Sequence, residues 1–361
     1  MRRYLILEDG TSFPGEGFGA SIVTTGEIVM QMAMTGYQAT ITDKVNTGKI
    51  IAFASPLVGT VGINRDDYES INPAIKGVVV SNYTNTSGHF ASKMSLDQYL
   101  QNLRIPAISG IDTRALRRHL SGSGVMKASI VDADDEHAFD QLRALVLPRN
   151  YVQQVSTAKP YPSPATGKNV VVVDFGLKHS LLRAFAVQHC NLTIVPADTS
   201  AAEIISLSPD GVVLTDGPGD PKDVRSAEKM IQGIQDKLPL LAIGLGHELF
   251  ARANGADIIR LTHEHHGINF PVREVATGRV DITTQNHSFA VDPQSLDTDK
   301  LLLTHENVID GSIEGLRHRL YPAFSVQFQP EGAPGSRDAE HVITEFMELM
   351  DAFSEREGGA I

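Results

Sequence analysis

A strand-to-helix turn in the segment LAIGLGHELF, residues 241–250, has the layout of a nucleophile elbow. In such an elbow a sharp turn after a buried strand presents a Ser or Cys side chain that attacks a carbonyl group. The residue at this turn is Gly244, which carries no side chain, and we expect the helix to begin at His247. Glycine tolerates a positive φ at no steric cost, so the turn can form without its nucleophile. The segment therefore indicates an elbow that has no covalent chemistry.

Two further groups of residues have side chains suited to chemistry. Cys190 is the single cysteine, and it precedes an apolar strand instead of occupying a turn. We interpret it as a small core residue. The run His-Glu-His-His at residues 263–266 has zinc-ligand types, but zinc ligands on a helix need His at i and i+4 with a further ligand elsewhere. We interpret this run as a polar loop and expect no metal.

The size and charge of the chain exclude several classes of protein. Its 361 residues allow roughly two domains, and its formal net charge is −12. This charge argues against general nucleic-acid binding, because phosphate contacts need clustered Lys and Arg. No run of about 18 apolar residues occurs, and Glu8 and Asp9 interrupt the apolar stretch at the N-terminus. We therefore expect a cytoplasmic protein with neither a membrane span nor a signal peptide.

Two regions with different sequence patterns must position these residues. To about residue 131, short β-like runs alternate with turns, and YLILEDGTSF predicts a hairpin with its turn at Asp9-Gly10. A stretch rich in Pro, Gly, Ser and Thr at residues 158–168 predicts a linker. After it, continuous apolar strands alternate with helices, which is typical of a parallel sheet buried on both faces.

The predicted fold class is α/β, with a mixed, β-rich domain at residues 1–157 and an open, mostly parallel α/β domain at residues 169–361. In open parallel sheets the functional loops follow the carboxyl ends of the strands. Two such loops are TDGPGDP, residues 215–221, and GLGHE, residues 244–248. The elbow therefore lies where a functional site is expected.

Motifs in both regions resemble one family. The first region contains LEDGTSFPGEGFGA, MTGYQATITD and GIDTRALRRHL, and the second contains VVVDFGLKHSLLR, DGVVLTDGPGDP, TTQNHSFAVD and PAFSVQFQPEGAPG. With this order and spacing the chain resembles the small subunit of carbamoyl-phosphate synthase, a class I glutamine amidotransferase. The resemblance implies that residues 1–157 contact a large subunit and that residues 169–361 form the amidotransferase-like domain.

The same resemblance implies a reaction shared between two subunits. The small subunit hydrolyses glutamine, and ammonia passes through a tunnel to the large subunit. The large subunit uses ATP, with Mg, to make carbamoyl phosphate for pyrimidine and arginine synthesis. We therefore expect no cofactor in this chain, with ATP and Mg on the large subunit.

At two of the three catalytic-triad positions of this family, the present sequence has a different residue. The family elbow is Gly-Ile-Cys-Leu-Gly-His-Gln, so the nucleophile position is Gly244. The family pattern Gly-His-Pro-Glu corresponds to residues 328–331, so the position of the general base is Gln329, which cannot accept a proton near neutral pH. Glu331 remains at the orienting position, as a triad carboxylate or as an N-capping or surface carboxylate.

The glutamine pocket implied by the resemblance is altered as well. Val45 stands where the family has a small hydroxyl residue, Glu248 where it has Gln, and Ser288 where it has Gly. Other pocket positions match the family, namely Gly217, Gly219, Leu245, Asn286 and Phe289. These changes argue against glutamine binding.

Three hypotheses follow. The first is a small subunit with lost glutaminase activity that serves as a structural or regulatory part of an ammonia-using complex. The second is a pseudoenzyme whose altered pocket binds another small molecule, with Glu248 and Ser288 favouring a cationic amine. The third is a glutaminase with a displaced nucleophile, for which Ser288 and Ser325 are the nominal candidates. We favour the first, because loss of nucleophile, base and pocket residues together removes glutamine hydrolysis.

Overall fold

The fold is taken from a computed structural model, which describes residues 1–123 and 126–358. The chain forms two compact units, Met1–Pro148 and Arg149–Ile361. Both units combine helices with sheets, which confirms the predicted α/β class. Within the described residues, no helix is both long and apolar enough to cross a membrane.

The first unit is built around a closed barrel of seven strands. In barrel order these are β1 (Arg2–Leu7), β2 (Ser12–Gly19), β6 (Pro106–Ser109), β5 (Gly77–Val79), β4 (Lys49–Phe53), β3 (Thr24–Gln31) and β7 (Lys127–Val131). Strands β1 and β2 pair antiparallel up to Ile6 and Ser12, and Gly10 has a φ of 98°. The predicted hairpin is thereby confirmed. The helices of this unit are α1 (Tyr37–Thr42), α2 (Leu96–Asn102), α3 (Thr113–Ser123) and α4 (Glu136–Ala144).

The described residues of the second unit form a ten-stranded sheet. Its strands are β8 (Tyr161–Ser163), β9 (Asn169–Asp174), β10 (Asn191–Pro196), β11 (Gly211–Leu214), β12 (Leu240–Ile243), β13 (Ile258–Glu274), β14 (Val280–Val291), β15 (Leu301–Asn307), β16 (Ile313–His318) and β17 (Ala323–Val326). The order across the sheet is β14-β13-β15-β16-β17-β12-β11-β9-β10-β8. The helices are α5 (Tyr151–Val155), α6 (His179–Val187), α7 (Ala201–Ser206), α8 (Arg225–Ile234), α9 (Leu245–Ala253) and α10 (His341–Gly358).

The central strands β17, β12, β11, β9 and β10 run parallel, and every residue of β17, β12 and β11 is buried. Along β9, Val171 and Val173 pack in one hydrophobic cluster while Val170 and Val172 pack in another. This alternation explains why the strand is apolar at every position, since neither face meets water. Because β11 and β12 are parallel neighbours, the loops at their carboxyl ends lie side by side.

Two segments differ from the secondary structure expected of them. The run 263–266 lies within β13 instead of a polar loop, because His265 and His266 pair with His287 and Asn286 of β14. The segment 158–168, predicted as a linker, carries the edge strand β8, which pairs antiparallel with β10. Prolines fit there because an edge strand needs hydrogen bonds on one side only.

Candidate active site

The turn at Gly244 joins β12 to α9 with a sharp change of direction. Gly244 has a φ of 56° and a ψ of −115°, a conformation that side chains rarely adopt, and α9 begins at Leu245, two residues earlier than expected. The Gly244 N–H donates to the Val326 carbonyl at 3.0 Å, and its carbonyl accepts the Glu248 N–H at 3.1 Å. The neighbouring strand and the first helical turn therefore hold the elbow in place.

The carboxylate of Asp216 fills the space in front of this turn. A Cβ added at Gly244 would lie 2.2 Å from both Cγ and Oδ1 of Asp216. Side chains essentially never approach a Cβ closer than 3.0 Å, so the two cannot share this space without a shift. Asp216 therefore stands where the side chain of an elbow nucleophile would begin.

Two backbone amides converge on the same carboxylate. The N–H groups of Gly217 and Leu245 donate to Asp216 Oδ1 at 2.8 and 3.0 Å, and Gln329 Nε2 donates to Oδ2 at 3.3 Å. Paired backbone donors at the start of a helix are the arrangement that stabilises an oxyanion in acyl transfer. In this chain the anion they bind is one of its own side chains.

Gln329, at the expected base position, is held beside the elbow from its backbone. Its N–H donates to the Thr284 carbonyl at 3.0 Å, and the residue is only 2% exposed. The amide nitrogen that faces Asp216 is a donor and has no lone pair available to take a proton. Geometry thus places Gln329 next to the elbow but gives it the role of a hydrogen-bond donor.

Glu331 is neither a surface carboxylate nor an N-cap. It is 5% exposed and forms a buried ion pair with Lys178, which precedes α6. A buried carboxylate needs a paired charge because desolvation penalises an isolated one. The partner of Glu331 is thus a cation, and the N-capping and surface interpretations are wrong.

Most of the residues predicted to form the glutamine pocket lie at the elbow, in the loop after β11 or on strand β14. Gly217 and Leu245 lie at the elbow, and Gly219 has a φ of 97° in the loop after β11. On β14, Asn286 Oδ1 lies 2.7 Å from His266 Nδ1, and the Phe289 ring lies under the Arg260 guanidinium. Ser288, on the same strand, is buried.

Two other predicted pocket positions, Glu248 and Val45, are buried. Glu248 is buried in the first turn of α9 and accepts a hydrogen bond from Gln327 Nε2 at 3.1 Å. Val45 belongs to the first unit, where it is buried in a 3-10 turn, Lys44–Asn46, that Asp43 caps. Glu248 therefore adds a negative charge in the same unit as the elbow.

Ser325 forms a serine–histidine pair, but inside the core. Its Oγ lies 2.8 Å from Nδ1 of His247, and both residues have an exposure of 0%. Burial, together with the nearby His305, lowers the pKa of His247 to about 3. A substrate cannot reach this pair, so its geometry gives no support to a displaced nucleophile.

Two other groups concern thiol chemistry and metals. Cys190 is buried, as expected of a core residue, and burial raises the pKa of its thiol to about 11. Among the described residues, one group of His and carboxylate side chains is close enough to hold a metal ion, namely His265, His287 and Glu314. Sequence spacing did not predict this group, because its members come from three different strands.

Two residues of the candidate site were not predicted, namely Asp216 at the elbow and Lys178 beside Glu331. For Asp216 a signal was available, since it lies two residues after β11 and β11 is the parallel neighbour of the strand before the elbow. Lys178 has no comparable signal, because its pairing with Glu331 depends on where α6 begins relative to the loop after β17.

A central parallel strand that ends in an elbow at the start of a helix is the layout expected of an amidotransferase domain, and two family sequence models match the chain. The sequence model of class I glutamine amidotransferases matches residues 171–349, and that of the carbamoyl-phosphate synthase small chain, CPSase domain, matches residues 5–130. A solved glutamine amidotransferase from Thermotoga maritima is a distant likeness, 17% identical over 54% of this chain and 86% of its own, with a TM-score of 0.37.

Relatives match over nearly the whole chain. The carbamoyl phosphate synthase small chain of Streptococcus mutans is 53% identical over 354 residues, which cover 98% of each chain. The pyrimidine-specific small chain of Lactiplantibacillus plantarum is 54% identical over 352 residues, covering 98% of this chain and 97% of that one. The chain belongs to the family of carbamoyl-phosphate synthase small chains.

Proposed function

We propose that this chain is a carbamoyl-phosphate synthase small subunit that has lost glutamine hydrolysis and serves a complex supplied by free ammonia. The observation that carries this proposal is the Asp216 carboxylate at the elbow. It fills the place of the nucleophile's Cβ and accepts both backbone N–H groups that would bind an oxyanion. An anion already bound there excludes a second one, because like charges at that distance repel strongly.

The loss involves every chemical component of the reaction. Gly244 offers no nucleophile, Gln329 offers no base, and the donors for the oxyanion bind Asp216. Acyl transfer from a carboxamide needs an attacking group, a proton acceptor and stabilisation of the tetrahedral oxyanion. With all three altered, repair of one residue leaves the reaction blocked.

The remaining role proposed for the chain is binding to a large subunit. Two observations support this role. Both regions match the family models, and the barrel of the first unit has its own hydrophobic core, as expected of a chain that still folds and binds a partner. ATP and Mg belong to the large subunit in this proposal. The small subunit stabilises or tunes that partner instead of feeding it ammonia.

The test is glutamate release in the assembled complex. The chain is mixed with its cognate large subunit and supplied with glutamine, ATP and bicarbonate, and glutamate is measured over time. We expect no release above the large subunit alone. The control is the same mixture with ammonium, which must form carbamoyl phosphate to show that the complex is competent. Glutamate release that depends on this chain would refute the proposal.

A further inference from the structure

Three buried side chains from three strands meet beneath the turn at residues 308–312. His265 lies on β13, His287 opposite it on β14, and Glu314 on β16, with exposures of 5%, 7% and 0%. Their potential ligand atoms all lie within 4.8 Å of one another. His265 Nδ1 is 3.2 Å from His287 Nε2 and 3.7 Å from Glu314 Oε1.

Hydrogen bonds on the outer side of each ring fix which nitrogens face inward. His287 Nδ1 lies 2.7 Å from the Phe289 carbonyl, which can only accept, so Nδ1 carries a hydrogen. His265 Nε2 lies 2.9 Å from the Asp310 carboxylate and carries a hydrogen for the same reason. In neutral rings the two inward nitrogens are therefore lone pairs that face each other and a carboxylate.

Further acceptors surround this point. Gln285 Oε1 is 3.2 Å from His287 Nε2, and Glu314 Oε2 has no hydrogen-bond partner among the described residues. Asn307 Nδ2 donates to the other oxygen, Oε1, at 3.0 Å. A buried carboxylate oxygen without a donor is costly, so a cation bound at this point would stabilise Glu314.

We propose that His265, His287 and Glu314 bind one divalent transition-metal ion of the zinc class. A tetrahedral ion with bonds of about 2.0–2.1 Å separates its ligand atoms by about 3.3 Å, close to the 3.2 and 3.7 Å found here. Two imidazoles and a carboxylate suit zinc, whereas magnesium and calcium prefer oxygen ligands alone. Gln285 Oε1 or a water completes the coordination.

The outer partners, Asp310 and the Phe289 carbonyl, are of the kind that orient a metal-binding histidine. A metal-bound histidine typically donates its other N–H to a carboxylate or a backbone carbonyl, as His265 and His287 do to Asp310 and Phe289. The ion joins the β13–β14 hairpin to β16 in a closed site. Its role is therefore to hold these three strands together.

The test uses the whole chain after dialysis against a chelator. Zn²⁺ is titrated by calorimetry, and Co²⁺ is added separately because its visible absorption reports tetrahedral coordination. We expect one ion per chain, an intense tetrahedral Co²⁺ spectrum and a raised melting temperature.

Variants separate this site from others. Glu314→Gln keeps the side-chain shape and should weaken binding more than any change outside the three ligands, since it removes a ligand charge. Asp310→Asn, which alters only the outer partner, should weaken it about 10–100-fold. His263→Ala is the matched control, because His263 is exposed on the same strand and should bind the metal as the parent chain does.

Two results would overturn the proposal. If the parent chain takes up no Co²⁺ or Zn²⁺, a proton on His265 fills the cluster in place of a metal. Binding that is unchanged in both Glu314→Gln and Asp310→Asn would place the metal elsewhere on the chain.

Discussion

Replacing Gly244 by alanine should destabilise the second unit far more than the loss of a glycine alone explains. A non-glycine residue at this φ carries a strain of about 1–3 kcal/mol. The new Cβ would also meet Asp216 at 2.2 Å and displace its carboxylate. Displacement breaks the hydrogen bonds from Gly217 and Leu245, and each buried donor left unpaired costs about 1–3 kcal/mol. We therefore expect a loss of about 3 kcal/mol or more in the free energy of unfolding.

Gly255 provides the matched control. It follows α9 with a φ of 94°, and a Cβ added there meets nothing within 4 Å. Gly255→Ala should therefore show the strain alone, about 1–2 kcal/mol. Both glycines lie in the second unit, so urea unfolding reports on the same transition, with the midpoint and slope measured for each variant.

A double-mutant cycle identifies Asp216 as the cause. With Asp216→Ala as background, Gly244→Ala should lose most of its extra cost, because the colliding carboxylate is gone. Equal losses for the two alanine variants would refute the steric argument. An unchanged loss for Gly244→Ala in the Asp216→Ala background would refute the assignment to Asp216.

Three further predictions concern the same unit. Gly244→Cys combined with Gln329→His should still show no covalent trapping by a glutamine-analogue electrophile, measured by mass spectrometry, because the new Cβ and the Asp216 carboxylate cannot share the space at the elbow and the turn is distorted; trapping would contradict this. Lys178→Met should destabilise by about 3–5 kcal/mol in urea unfolding, since it leaves Glu331 charged, buried and unpaired. Adding Glu331→Gln should recover part of that loss, and no recovery would argue against the ion pair. The free energy of unfolding should fall as the pH drops from 6.5 toward 3, by up to about 1.4 kcal/mol per pH unit. In this range His247 binds a proton in the unfolded chain, whereas in the folded chain its pKa of about 3 keeps it neutral. His247→Gln should remove this part of the pH dependence, and an unaltered pH profile would contradict the assignment.

The central sheet could be predicted because its strands are buried on both faces. Every position of β9 between Val170 and Val173 is apolar, and this pattern distinguishes a central parallel strand from an exposed one. The β13–β14 hairpin could not be predicted in the same way. Its histidines His265 and His287 are polar but buried and lie opposite each other in the hairpin, so no apolar alternation marks them.

Residue types at the elbow showed what the site lacks, whereas only the structure shows what replaces it. The absence of a thiol at Gly244 and of an imidazole at Gln329 is visible in the sequence. That Asp216 turns its carboxylate onto the start of α9 depends on the side-by-side ends of β11 and β12 and on a side-chain direction. Long-range pairs such as Lys178 with Glu331 are likewise set by packing, not by local pattern.

The source of nitrogen in the product tests the central claim most directly. The chain and its cognate large subunit are given ¹⁵N-ammonium together with unlabelled glutamine, ATP and bicarbonate, and the carbamoyl phosphate is analysed by mass spectrometry. If Asp216 occupies the elbow as described, all of the nitrogen in the product is ¹⁵N. Unlabelled nitrogen from glutamine in the product would contradict the account, because it would require a nucleophile and an oxyanion site that this elbow does not offer.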